Sequence, residues 1–147
     1  MAQEPIAYLN GEFLPISECR VSISDRGFGG DSVYDVERTF DGKIFRLEAH
    51  LDRLYRSLKY VRIDPRMTKE DMAEITHEVV RRNEHLRGNS DWSVAQTITR
   101  GVARGNTTGR TSSVIDDVQP TVFINVYFPP FRPVSYTHLT LPTKRIV

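Results

Sequence analysis

Apolar residues recur with two different periods along this chain of 147 residues, and the change from one to the other falls at Leu47. Before it they alternate. Ile6 to Leu9 and Glu12 to Leu14 flank Asn10-Gly11, while Val33 to Phe40 and Lys43 to Arg46 flank Asp41-Gly42. Both dipeptides accept the positive φ angles of a two-residue primed turn, so each pair of runs predicts a β-hairpin. On the longest of these strands Tyr34, Val36 and Arg38 occupy alternate positions and share one face.

From Leu47 the period lengthens. Leu47, Leu51, Leu54, Leu58 and Val61 recur at steps of four and three, the stripe of an amphipathic helix, with Arg53 and Arg56 off it. Thr68 is placed to cap a second helix, with Asp71 in the capping-box position, Met72, Ile75, Val79 and Val80 on its buried side, and an end near Gly88. Ser93 to Arg100 and Thr121 to Phe128 then predict strands, the second alternating Val122, Ile124, Val126 and Phe128 against Phe123, Asn125 and Tyr127. Between them Gly101 to Gln119 reads as a polar loop too long for a routine connection, hence a functional excursion or disorder. Hairpins, two successive helices and further strands predict an α+β fold, a two-layer sandwich, and speak against a doubly wound parallel sheet.

Composition narrows the class. With 39% hydrophobic and 27% charged residues the chain has the makings of one globular domain with a sizeable core. A formal charge of +1, with the arginines dispersed among acids, offers no field for nucleic acid or an anionic membrane, so neither is expected as a partner. The single cysteine, Cys19, excludes an internal disulfide framework and suits a reducing compartment; it is expected as a half-buried strand residue. Met1 to Pro5 carries neither a basic nor an apolar leader and no later run is long enough to span a bilayer, which makes a cytoplasmic protein the expectation. His50, His77, His85 and His138 show no ligand spacing, so no metal site is expected. Gly27-Phe28-Gly29-Gly30 lacks the Gly-Lys-Ser/Thr ending of a phosphate-binding loop.

Taken by spacing alone, the candidate residues have ordinary roles. Arg53 would be a solvated helix arginine paired to Asp52 or Glu48, and His50 a hydrogen-bonded structural residue. Tyr34, Val36 and Arg38 would be positions of a plain strand.

A longer pattern changes that picture. Ser24-Asp25-Arg26-Gly27-Phe28-Gly29-Gly30-Asp31-Ser32-Val33-Tyr34-Asp35-Val36-Glu37-Arg38, followed by His50-Leu51-Asp52-Arg53-Leu54, resembles the opening half of a class-IV, pyridoxal-phosphate-dependent aminotransferase. The resemblance covers Tyr8 to Phe128. It implies the small N-terminal domain of fold type IV, truncated before the larger domain, with pyridoxal 5'-phosphate as cofactor and a homodimeric parent. The parent would move an amino group between an amino acid, branched-chain or D, or an amine and a 2-oxo acid. Arg53 matches the arginine of the family's His-Leu-x-Arg-Leu motif, which binds the cofactor phosphate, and a planar guanidinium that stays charged suits that task. Tyr34, Val36 and Arg38 match the substrate-facing strand, which reads Phe-Glu-Gly-x-Arg in branched-chain enzymes and Tyr-Glu-Val-x-Lys in D-amino-acid enzymes. Tyr-Asp-Val-Glu-Arg is nearer the D-amino-acid or (R)-amine branch at its first and third positions. Arg104, on the loop after Thr99-Arg100-Gly101, is the candidate for the substrate α-carboxylate, with Arg100 or Arg110 as alternatives.

Two departures stand against the resemblance. No lysine lies where the family keeps its Schiff-base lysine, so the chain holds no catalytic residue, Lys43, Lys59 and Lys69 are expected to be silent, and the fragment is expected to be inactive. The loop at Gly29-Gly30 is one residue shorter than usual, which puts the placement of Tyr34 in question. Aminodeoxychorismate lyase, on the same fold with the same cofactor, and a non-catalytic binding domain remain alternatives.

The tail reads differently again. Val134 to Thr143 corresponds, residue for residue, to one reading frame of a transposase adapter used in sequencing libraries. The expected organisation is therefore a domain over 1–133 followed by an adapter-derived tail over 134–147.

Overall fold

The computed structural model describes residues 4–103 and 118–127. Arg104, Arg110 and the middle of the expected polar loop, over 104–117, lie outside the described residues, as do Phe128 of the last expected strand and the tail from Val134. Six strands form one antiparallel sheet in the order β2-β1-β6-β5-β3-β4, and two helices follow the second hairpin. The strands are β1 (Ile6–Leu9), β2 (Glu12–Pro15), β3 (Ser32–Phe40), β4 (Lys43–Ile44), β5 (Ser93–Ala103) and β6 (Val118–Tyr127); the helices are α1 (Leu47–Val61) and α2 (Lys69–Arg87). The α+β two-layer expectation holds: both helices pack on the same side of the sheet, and among the described residues every strand pair is antiparallel.

Both hairpins turn where the dipeptides predict, with Asn10 and Asp41 at φ 49° and 51°. The core lies between helices and sheet. Leu47, Leu51, Leu54 and Leu58 of α1 and Met72, Val79 and Val80 of α2 meet Tyr8, Trp92, Val94, Ile98, Val122, Ile124 and Val126. Removing these side chains from water is the main favourable term in folding. The Thr68 capping box forms as expected: its hydroxyl accepts from the Asp71 amide at 3.0 Å while the Asp71 carboxylate accepts from the Thr68 amide at 2.9 Å.

Several boundaries differ from the sequence expectation. β4 stops at Ile44, because Arg46 takes a left-handed conformation (φ 53°) and starts α1 at once. Val61 is 37% exposed; left-handed Arg62 ends the helix and turns Ile63 into the core in its place. On α2, Ile75 is only half-buried, whereas Thr76 and Asn83 are buried. Asn83 is tolerated there because its carboxamide is fully used: Oδ1 accepts from the Ile6 amide, and Nδ2 donates to the Ile6 and Val79 carbonyls, all at 2.7 Å. Cys19 lies just after a 3-10 turn (Ile16–Glu18), half-buried but not in a strand. β5 and β6 run on through Ala103 and from Val118, which takes both ends of the expected loop into the sheet.

That extension depends on Gly101. A bulge separates the pairs Thr99↔Thr121 and Val102↔Gln119, and Gly101 within it has φ 78°. A Cβ there would lie 1.5 Å from the Gln119 carbonyl oxygen. Gly101→Ala is therefore expected to lower stability by more than about 2 kcal/mol, read as a drop in the urea midpoint at unchanged m-value; an unchanged midpoint would show that the bulge is not held this way.

Candidate functional site

Strand β3 carries different chemistry on its two faces. Tyr34, Val36 and Arg38 point away from the helices, as the alternation predicts, and sit opposite Thr97, Ala95 and Ser93 of β5. Tyr34 is 70% exposed, and Arg38 stacks over the Phe40 ring at 5.4 Å. The reverse face, which turns toward α1, holds Asp35, Glu37 and Thr39, all buried. Polar residues on the helix side of a strand are costly unless partnered, and their partners define the site.

Asp35 is answered from α1. Arg53 Nε donates to Asp35 Oδ2 at 2.7 Å and Arg53 Nη2 to Oδ1 at 2.5 Å, a two-pronged charge-assisted pair. His50 Nδ1 lies 3.0 Å from the same Oδ1 and 3.4 Å from Arg53 Nη2. One ring nitrogen cannot donate to one and accept from the other, and the shorter contact, to a carboxylate, makes it the donor. The Val36 amide adds a third bond to Oδ1 at 2.8 Å. Burial pushes the Asp35 carboxyl up, but the Arg53 and His50 bonds outweigh it and hold the group below its ordinary 3.8.

The pairing expected for Arg53, with Asp52 or Glu48, does not form. Lys69 takes those acids instead, at 2.7 and 3.5 Å. Arg53 stays 60% exposed, and among the described residues its Nη1 has no partner. His50 is the hydrogen-bonded residue expected of it.

Glu37 sits two residues along the same face with a different balance. Its Oε1 accepts from Gln96 Nε2, which also lies 3.3 Å from Thr76 Oγ1. Glu37 Oε2 and Gln96 Oε1 are buried with no hydrogen-bond partner. Desolvation, only partly offset by Gln96, pushes the Glu37 carboxyl up to about 7. Asp35, Glu37 and His50 offer ligand atoms within 4.8 Å of one another. Arg53 and His50 already occupy Asp35, whereas Glu37 bonds Gln96 and neither of the other two, so the positive charge facing Asp35 comes from a side chain.

Other residues of the motif have structural tasks. Arg100 donates from Nε to Asp31 at 2.7 Å and from Nη1 and Nη2 to the Arg62 and Val61 carbonyls at 2.8 Å, closing the C-terminus of α1. Three of its five donors are committed there, on a side chain only 13% exposed. Asp25 caps a 3-10 turn (Arg26–Gly29), accepting from the Gly27 amide at 2.7 Å and from the Thr121 hydroxyl at 2.6 Å, which lays the turn on the outer face of the sheet. Gly30 closes the short loop at φ 87°, and Tyr34 lies opposite Thr97. Sequence reasoning missed Asp35 and Glu37 as buried groups. The signal was present: if Tyr34, Val36 and Arg38 share one face, Asp35, Glu37 and Thr39 share the other.

With this geometry in place, the comparisons with known proteins are consistent. The amino-transferase class IV family matches residues 32–143, and the chain belongs to that family. The match runs on beyond the described residues, into the stretch from Val134 that is expected from the sequence to be an adapter-derived tail. The chain is 42% identical over 96 residues to a putative branched-chain-amino-acid aminotransferase of Methanocaldococcus jannaschii, covering 65% of this chain and 32% of that protein. It is 34% identical over 100 residues to a D-alanine aminotransferase of Staphylococcus haemolyticus, covering 67% and 34%. Among solved structures, a T.th. branched-chain amino acid aminotransferase with pyridoxamine 5'-phosphate is similar at TM-score 0.73 and 22% identity, covering 92% of this chain and 43% of that one. The Escherichia coli branched-chain enzyme is similar at 0.69 and 20%, covering 86% and 41%. These likenesses establish the fold. The chain spans about a third of the length of the curated relatives it matches.

The buried carboxyl has a pH signature. Folded Glu37 holds its proton up to about 7, whereas the free group releases it near 4.5, so stability is expected to fall as pH rises through that window, by a total on the order of 3 kcal/mol. Glu37→Gln removes this slope. Urea unfolding at pH 5 and pH 8 measures it; a wild-type stability that does not fall between them would place Glu37 in a wetter setting.

Proposed function

We propose that this chain is the N-terminal domain of a pyridoxal-phosphate-dependent aminotransferase, residues 1–133, and that its parent exchanges an amino group between an amino acid, branched-chain or D, or an amine and a 2-oxo acid. The observation that carries the reading is Arg53, paired on one edge and exposed on the other, at the strand whose opposite face carries Tyr34, Val36 and Arg38. Family membership and relatives named as branched-chain and D-alanine aminotransferases support it. So do solved structures of the same fold, one of them with pyridoxamine 5'-phosphate.

The residues present fit one end of the cofactor. Arg53 would hold the phosphate through its outward donors. Tyr34 would donate its hydroxyl to a substrate carboxylate, Val36 would narrow the pocket, and Arg38 would keep the wall positively charged. Arg104 would reach the α-carboxylate, from a loop outside the described residues. When bound, pyridoxal phosphate supplies the electron sink that stabilises charge at the carbon losing its proton. Among the described lysines, Lys69 is held by Glu48 and Asp52, and Lys43 and Lys59 are exposed. The parent would supply the Schiff-base lysine beyond this domain. We place it as a cytoplasmic homodimer; among the described residues no helix is long and apolar enough to cross a membrane.

Two measurements bear on this. Pyridoxal phosphate titrated into the chain is expected to bind through Arg53, with Arg53→Gln lowering affinity at least about tenfold, and with no stoichiometric borohydride-reducible adduct at Lys43, Lys59 or Lys69. Unchanged affinity in the variant, or a full adduct at one of those lysines, overturns the assignment. Sequencing the source DNA across the Pro133 codon without a transposase adapter is expected to find an open frame into a second domain carrying a lysine. A stop codon after Val147 would leave a binding domain without catalysis.

A further inference from the structure

We propose that Asp35, assisted by His50, is a positioning group that fixes the Arg53 guanidinium before any ligand arrives, so that its outer edge is a ready-made site for a phosphate monoester. The inference rests on the reading of Arg53 as a phosphate contact and adds how that contact is made selective.

The geometry is specific. The Asp35 side chain is only 2% exposed, and its position is set from the backbone by the Val36 amide as well as from the helix by two side chains. His50 and Arg53 are three residues apart, one helical turn, so they descend on the same carboxylate from neighbouring positions. The two-pronged pair fixes not only where the guanidinium lies but the plane in which it lies, because Nε and Nη2 are both committed. What remains is the Nη1 edge, facing outward on a side chain that is otherwise 60% exposed. An arginine so held loses little further freedom on meeting an anion, the usual advantage of preorganisation.

Charge alone argues the other way. A carboxylate behind the guanidinium offsets part of its positive field and weakens its pull on a phosphate. The two accounts therefore differ in the sign of one experiment. If Asp35 acts only as a neighbouring charge, or only as an anchor for α1, Asp35→Asn leaves phosphate binding unchanged or tightens it. If Asp35 positions Arg53, the same variant weakens binding.

Inorganic phosphate is the probe, titrated into the full chain and followed by NMR chemical shifts, with near-ultraviolet circular dichroism of Trp92 reporting the fold. Asp35→Asn is expected to weaken phosphate binding about tenfold, and Asp35→Glu, which keeps the two-pronged pair, to restore most of it. Binding by Asp35→Asn as tight as wild type or tighter overturns the proposal. Arg53→Gln separates the two layers: if it leaves phosphate binding intact, the phosphate reading of Arg53 itself fails. If it abolishes binding while Asp35→Asn does not weaken it, only the positioning role fails. The unmutated chain gives a test that survives any loss of folding in the variants. The Arg53 Nε–H signal is expected to exchange slowly without phosphate and to shift little on saturation; a signal that becomes protected only when phosphate is added overturns the proposal.

Discussion

Burying a carboxylate between a helix and a sheet is unfavourable unless charge and hydrogen bonds are supplied at the same place, and that requirement at Asp35 orders much of this domain. Its partners sit three residues apart on α1, so meeting it fixes the rotation of the helix about its axis. With His50 and Arg53 directed at β3, Leu47, Leu51, Leu54 and Leu58 are left to pack on the sheet. Arg100 fixes the other end of α1 through the Val61 and Arg62 carbonyls and ties it to Asp31 just before β3. The helix is thus held at both ends by polar contacts and along its length by apolar ones. Only the second kind is generic.

Glu37 shows the same strand with less compensation. It is as buried as Asp35 but has a carboxamide for a partner rather than a guanidinium, and its proton is retained accordingly. Two carboxyls two residues apart on one face are therefore driven in opposite directions by what faces them. The sheet tolerates both because one is answered by a cation and the other is pushed toward its neutral, protonated form.

Most of the fold was legible because it is written in short-range patterns. The Asn10-Gly11 and Asp41-Gly42 turns, the leucine stripe of α1, the Thr68–Asp71 capping box and the alternation along β6 each depend on residues within a few positions of one another. Reasoning failed where the decisive partner lies far along the chain. Arg53 has two acids within five residues on its own helix, yet it bonds an acid 18 residues earlier. Asn83 is buried because β1, 77 residues away, uses its carboxamide. Arg100, an alternative candidate for the substrate carboxylate at the end of a predicted strand, caps a helix across 38 residues. Arg46 and Arg62 bound α1 in left-handed conformations that no propensity assigns to arginine. For the candidate site, the family motifs located Arg53 and the Tyr34 strand, whereas the carboxylate behind Arg53 had to be seen in three dimensions.

The alternation of β3 has a consequence for how such a domain can change over generations. Side chains at odd-numbered positions from Asp35 to Thr39 are tied to α1, to Gln96 of β5 and to Asp91 and Trp92 just before β5, and a substitution there disturbs those bonds. Side chains at even-numbered positions from Tyr34 to Arg38 face the other way and share none of those bonds, although the Val36 backbone amide reaches Asp35. In the proposed reading, selectivity for the substrate can drift by single substitutions on one side of a strand while the anchor for the phosphate is inherited intact on the other. A lineage could then diversify its chemistry without rebuilding its scaffold.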